Sequence, residues 1–278
     1  TRRGRPALTQ VNAATVNATL RWRLDAAATF ASVPMSDPDG DGEWSAVIPA
    51  QANLAIVEWY ISATNGTLTR TWPPAARTSN PGVAPETYAQ SCNALYQVDN
   101  SYDPAVAWTA GAQPVYRLIM TAAERTELRN IQEGQDNSSA QIDAAMNATF
   151  IATDGTGQDT RYRCSVRNRG FSSRSGPPSH FSLSMVSGEE WAGRASFQLN
   201  CRYPHAAVAA AAIFQLGGMP VQEAAPAQLR VNGLNPAISG QGVGNFTQNI
   251  TNGALARTES LGGDWASNHF PGDDAGNL

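Results

Sequence analysis

The sequence predicts an all-β sandwich module followed by an α+β domain. Three observations carry that expectation. The chain has 278 residues, enough for two ordinary domains that each bury a core. Up to about Asn100 it runs in short alternating stretches broken by turn residues. Beyond Pro114 the order becomes strand, helix, several strands, helix, strand. The expected boundaries are 1–108 for the sandwich with its linker and 109–278 for the α+β domain.

In the first half, "ATVNATLRWRL", "EWSAVIPA", "AIVEWYISATNG", "LTRTWP" and "ALYQVDN" read as strands of an immunoglobulin- or fibronectin-like sandwich. Ala76–Ser91 reads as a Pro/Ser/Thr-rich loop and "SYDPAVAWTAGAQ" as the linker. "PVYRLIM" is a strand, and Thr121 with Glu124 three residues on forms a capping box that starts a helix. Strands follow at "NATFIATD", "RYRCSVRNRG", "FSLSM" and "RASFQLN", with "GTGQD" as a hairpin turn. "PHAAVAAAAIFQLGGMP" is a helix opened by Pro204, stopped by Gly217-Gly218 and followed by Pro220; its alanine-rich run reads as buried. "AQLRVNG" is the last strand, and a Gly/Asn-rich segment follows from Leu234 to Gly253.

Composition narrows the function classes. A formal net charge of -4 offers no basic footprint for nucleic acid or anionic lipid. All 19 basic residues are arginine. Without a lysine the chain cannot form a Schiff base, a Walker phosphate clamp or the lysine contact of a kinase. No apolar run reaches the 18 residues that mark a membrane-spanning helix. The chain begins at Thr1 without a signal-like segment, which fits a processed exported protein or an internal piece of a longer one. Three cysteines are too few for a disulfide framework and lack zinc spacing. If strands 161–170 and 195–201 flank strand 181–185, Cys164 and Cys201 stand ~9.5 Å apart, beyond disulfide reach. Asn-x-Ser/Thr sequons begin at Asn17, Asn65, Asn137, Asn147, Asn245 and Asn249, a pattern that an Asn/Thr-rich chain also produces by chance.

Three motifs bear on chemistry. "DPDGDGEW" sets Asp37, Asp39 and Asp41 at alternate positions before Gly42, the front half of a calcium loop. Ile48 stands where an EF-hand needs its bidentate glutamate, so the expectation is a β-turn whose carboxylates are candidate Ca2+ ligands. "SGQGVGNF" has glycines at 240, 242 and 244 but follows no clean strand, and reads as a surface loop. His180, His205 and His269 share no metal spacing, and no nucleophile elbow exists. In "RYRCSVRNRGFSSR", Arg161, Arg163, Arg167 and Arg169 share strand parity and so one face, with Arg174 past the turn. Guanidinium forks on such a face bind phosphate or carboxylate, or pair with nearby Asp159, Glu189 and Glu190; both readings stand.

"PVYRLIM", "NATFIATD", "SVRNRGFSSR", "FSLSM", "GRASFQLN", "AAIFQLGGMPVQEAAPAQLRVNG" and "TESLGGDWASNHFPGDDAGNL" occur in an order that resembles the CotH family, named after a bacterial spore-coat protein kinase. The resemblance covers about Gln113 to Leu278, and the "GDG" turn with Ile48-Pro49 is similar to the β-module that often precedes this domain. It implies the N-lobe of an atypical protein-kinase-like fold that uses ATP and Mg2+ to phosphorylate serine in secreted or coat proteins. The nucleotide would lie against Arg167, Arg169, Gly170, Ser172, Ser173 and Arg174, with Glu259 matching the family's glutamate before the second lobe. Ser179 stands nearest the family's lysine position, and the family's catalytic and metal-binding aspartates lie downstream of the segment matching "FPGDDAGNL".

The resulting expectation is a secreted or cell-surface structural or interaction protein, pseudokinase-like and catalytically incomplete, partnered by other protein of a coat, surface or filament assembly. Two alternatives accompany it. One is an exported ATP-dependent serine kinase whose catalytic lobe lies beyond residue 278; the other is a calcium-stiffened adhesion module.

Overall fold

In a computed structural model the chain divides into two compact units, Thr1–Ser101 and Tyr102–Leu278. The structure describes residues 16–74, 92–100, 112–132, 144–155, 157–170, 180–201, 203–234 and 254–272. The Pro/Ser/Thr-rich loop, most of the expected linker and the Gly/Asn-rich stretch after Leu234 lie outside them.

The first unit is an antiparallel sheet of β1 (Asn17–Leu24), β2 (Ala31–Pro34), β3 (Ile56–Thr64), β4 (Thr69–Trp72) and β5 (Ala94–Gln97). The order is β2-β1-β3-β4, and β5 also pairs with β3. Strand β1 runs along one side of β3, and on the other side residues 61–64 hold β4 and residues 56–59 hold β5, so both short strands share one flank of this long strand. The β3–β4 turn is set by Asn65, whose side-chain oxygen accepts the Thr67 and Leu68 N–H groups at 3.1 and 2.8 Å. "EWSAVIPA" is not a strand: Ser45 alone pairs, as a single bridge to Ser36, and Val47 is exposed, so the alternation there matches no buried face. The edge strand β2, short and ending in Pro34, carries no sequence signal of its own. The β character is as expected; the second sheet that a sandwich requires is not found among the described residues.

An ion pair sits in this small core. Arg23 and Glu58 are directly opposed across β1 and β3, and Leu95 opposes Glu58 from β5, so the three share a face. Arg23 Nε donates to Glu58 Oε2 at 2.7 Å with the two side chains only 1% and 6% exposed. Asn93 Nδ2 donates to the other carboxylate oxygen at 2.8 Å, and the guanidinium lies 4.2 Å from the Phe30 ring centroid. Removing one partner strands the other charge out of water. Glu58→Ala is therefore expected to cost about 3–5 kcal/mol, measured by urea unfolding, and Glu58→Gln, which keeps the shape and one acceptor, less.

The second unit contains β6 (Val115–Ile119), α1 (Ala122–Gln132), β7 (Met146–Asp154), β8 (Gly157–Arg169), β9 (His180–Ser184), β10 (Ser196–Asn200), α2 (Pro204–Leu216), β11 (Ala224–Val231), β12 (Ala254–Glu259) and α3 (Gly263–His269). Its seven strands close into a barrel in the order β10-β12-β11-β6-β7-β8-β9. Among the described strands only β6 and β11 pair in parallel. This corrects the expected α+β, kinase-like N-lobe: the unit is a β-barrel to which the helices are accessories. The strands and the two helices read in this half are present, but "AQLRVNG" is not the last strand, since β12 and α3 follow it. An open sheet and a closed one have the same strand sequence pattern. What separates them is pairing between strands remote in sequence, and closure leaves no strand edge unpaired.

Inward residues fill the barrel with Tyr116, Leu118, Phe150, Val166, Leu183, Phe197, Leu199 and Leu229, all buried. Helix α1 covers one mouth. Its capping box forms as read, the Glu124 N–H donating to Thr121 Oγ1 at 3.2 Å and the Thr121 N–H donating to Glu124 Oε2 at 3.4 Å, with the Thr121 hydroxyl donating to the same oxygen at 2.9 Å. Leu128 and Ile131 join the core, and inward-pointing Asn168 donates to the Leu128 carbonyl at 2.8 Å, so its buried amide is satisfied. Strand β9 lies between β8 and β10, and Cys164 and Cys201 are both free, as the strand-spacing argument expects.

Helix α2 forms between Pro204 and the Gly217-Gly218 stop but is not buried. It rests outside the barrel on β11 and β12 through Pro204, Ala207, Val208 and Ala211, and the rest of its surface is exposed. The apolar run misled because alanine reports helix propensity without reporting burial.

Candidate functional site

The arginines of β8 do not share one face. The β7–β8 register shifts between Ala148 and Phe150, which oppose Cys164 and Arg161, so Tyr162 and Arg163 together face Thr149 in a β-bulge. Arg163, the second residue of the bulge, has a positive φ of 58°, a conformation that residues with side chains rarely adopt. The extra residue inverts the parity. Arg161, opposite Phe150, lies on the inner side, whereas Arg167 and Arg169 oppose Ser182 and His180 and point outward. Arg161 pairs with Asp159 and donates to the Glu189 and Glu190 carbonyls at 3.1 and 3.0 Å; Arg163 approaches Glu189 at 3.7 Å. Of the two readings for this face, pairing with acids holds for its first half through Asp159 and Glu189, whereas Glu190 offers its backbone carbonyl. Arg161 thereby pins the β9–β10 loop over the second mouth of the barrel, where Trp191 enters the core against Tyr116, Phe150 and Phe197.

That mouth holds a dense polar cluster. On β12, Glu259 opposes Phe197 and Arg257 opposes Leu199, so both charged side chains share a face with core residues. Neither is free. Arg257 Nη2 donates to Glu223 Oε1 at 2.8 Å, and the other oxygen of Glu223 takes Arg194. Glu259 Oε2 accepts the Glu223 N–H at 2.8 Å and lies 3.1 Å from His269 Nε2, while its Oε1 is 4.0 Å from Arg194 Nε. Asp264 of α3 accepts the Ala195 N–H at 2.8 Å. The cluster thus fastens the β9–β10 loop, the start of β11, the end of β12 and helix α3 to one another.

The electrostatics follow from that geometry. Burial alone would raise the Glu223 carboxyl, but the hydrogen bond and charge of Arg257, with those of Arg194, outweigh it and hold it below the usual range. Burial raises the Tyr116 phenol against the opposing pull of Arg257. Arg257 Nε and Nη1 are buried with no hydrogen-bond partner, and the guanidinium stands 5.9 Å from the Trp191 ring centroid. Cys164 is pushed up to about 12 by burial, which removes it as a nucleophile.

Of the described residues expected to hold a nucleotide, Arg167, Arg169 and Gly170 lie together at the end of β8, apart from Glu259 on β12. Arg167 and Arg169 lie on the outer surface of β8, where burial and then the charge of Arg167 lower the Arg169 guanidinium, and Arg169 donates to Asn200 at 2.6 Å. Gly170, with φ 98°, ends that strand. Glu259 faces the interior from β12, which β9 and β10 separate from β8. Ser172, Ser173, Arg174 and Ser179 lie outside the described residues. Sequence reasoning reached Glu259 but missed Arg194, Glu223, Arg257 and His269. A signal existed in "LARTE", where Leu255, Arg257 and Glu259 alternate on what proves to be a core face.

In the acidic turn, one carboxylate oxygen from each of Asp37, Asp39 and Asp41 lies within 4.8 Å of the others. The turn already holds itself. Asp37 accepts the Gly40 and Gly42 N–H groups at 2.9 and 3.0 Å, and Asp41 accepts that of Glu43 at 2.7 Å. Calcium takes six to eight oxygens, so three carboxylates giving one oxygen each would need backbone carbonyls and water to complete the shell. No protein-family model matches the chain, and no curated protein matches it. The CotH resemblance therefore rests on motif order alone.

Two outcomes test these assignments. A depressed carboxyl stabilises the fold above its unfolded value, near 4.5 for glutamate, and loses that contribution as pH falls through its lower folded value. The stability difference between the native chain and Glu223→Gln is accordingly expected to be constant at neutral pH and to shrink below about pH 4.5, read by denaturant unfolding across pH. For the acidic turn, millimolar calcium against chelator should move the melting midpoint by less than about 1 °C, while Asp37→Ala costs about 1 kcal/mol in both.

Proposed function

We propose that the chain is a structural and interaction module of an exported or cell-surface assembly, with helix α2 as its contact element. The helix supports this reading most directly. It carries no Asp, Glu or Arg, its polar residues are His205 and Gln215, and it leaves Leu216 90% and Ile213 68% exposed. A helix apolar on all sides is ordinarily buried. Set on a barrel surface, such a helix is suited to covering by another protein. The barrel-mouth charges support the same reading from the other side, because Glu223 pairs with both Arg194 and Arg257 and Glu259 lies 4.0 Å from Arg194, contacts that fasten loop and strands. The exported or surface setting, and a coat or filament as the partner, follow from the CotH-like motif order.

A presented helix tolerates charge. Leu216→Asp is expected to change stability by less than about 0.5 kcal/mol and to reduce binding of an apolar surface dye. Destabilisation by 2 kcal/mol or more, the order expected for a core position, would show instead that the folded chain covers this face itself.

A further inference from the structure

The residue order of α2 names an occupant for its exposed face. Ala211, 6% exposed, belongs to the stripe that rests on the barrel. With ~100° between successive residues, the side turned furthest from it carries Ala206, Ala209, Ile213 and Leu216. Steps of three, four and three are the spacing of an a/d heptad seam. Along that seam small residues occupy the N-terminal half and large ones the C-terminal half.

That asymmetry is complementary to itself when reversed. In an antiparallel pair of α2 helices with the two-fold axis at position 211, Leu216 meets Ala206 of the copy and Ile213 meets Ala209, since both pairs are centred on that position. Each layer then contains one alanine and one four-carbon side chain, and leucine and isoleucine are isomers, so every layer has nearly the same volume. A parallel pair would stack alanine on alanine and leucine on leucine, leaving holes at one end and crowding at the other. We infer that α2 is the interface of a homodimer paired antiparallel along Ala206, Ala209, Ile213 and Leu216; the inference rests on α2 being a contact helix. Electrostatics favour the same partner. The helix has no Asp, Glu or Arg to desolvate, and antiparallel macrodipoles attract. A lipid surface fits less well, because interfacial helices carry a cationic face that α2 lacks.

The helix is ~20 Å long, so the pair buries less than the ~1,200 Å² at the low end of stable interfaces. The dimer is weak, half-dissociated on the order of 10–100 μM. Sedimentation equilibrium of the full chain from ~1 to ~300 μM should show a monomer–dimer equilibrium. Leu216→Ala alone, which faces alanine with alanine, and Ala206→Leu alone, which faces leucine with leucine, should each weaken it about tenfold. Ala206→Leu combined with Leu216→Ala restores one small and one large residue per layer and should recover the native affinity. A chain monomeric throughout, or a double variant no better than the singles, overturns the inference. So does sedimentation of the chain with phosphatidylcholine vesicles that Leu216→Ala abolishes. Melting curves of the variants exclude misfolding, and a monomeric chain in which Leu216→Asp remains neutral refutes the dimer while sparing the contact-helix reading.

Discussion

Two opposite charges pointed into an apolar barrel are the constraint on which the second unit depends. Arg257 and Glu259 alternate with Leu255 on the inner face of β12, and both are buried there. An isolated buried charge is far too costly to persist, so each must be neutralised by something brought to it. Glu223 and Arg194 arrive from the start of β11 and from the β9–β10 loop, and His269 from α3. The price of placing charge inside is repaid as organisation: pieces remote in sequence have one arrangement in which the ions are paired.

Closure and the bulge on β8 follow the same logic of local geometry serving a distant contact. The extra residue at Tyr162–Arg163 turns Arg161 inward, where its guanidinium holds the backbone carbonyls of Glu189 and Glu190. With that loop held, Trp191 packs against three other rings in the barrel and shields the ionic cluster beside it. The same bulge sends Arg167 and Arg169 outward and away from Glu259. A residue set that looks like one binding face in linear sequence is thus divided between a structural clamp and an outer surface.

The first unit solves a comparable problem on a smaller scale. Arg23 and Glu58 lie among Tyr60, Leu95 and Phe30, and Asn93 completes the carboxylate's hydrogen bonding. In both units charge is used inside to specify arrangement, whereas the conspicuous outer element, α2, is nearly free of it. That contrast is the physical basis for reading the mouth cluster as structure and the helix as contact.

The sequence by itself determined the local elements wherever a short-range cause acts: the capping box at Thr121 and Glu124, the Pro204 and Gly217-Gly218 limits of α2 and the strands with true alternation. It also placed Cys164 and Cys201 too far apart to bond. Only the tertiary structure decided that seven strands close into a barrel, because the parallel β6–β11 pairing joins segments whose separation leaves no trace in local pattern. Tertiary structure also decided the arginine face, since one bulged residue inverts every parity argument beyond it, and the exposure of α2, since alanine is at home in a helix whether or not the helix is covered. Glu259 was legible as a candidate from motif order; its partners were not, because side chains from a loop, two strands and a helix become neighbours only when the barrel mouth is closed.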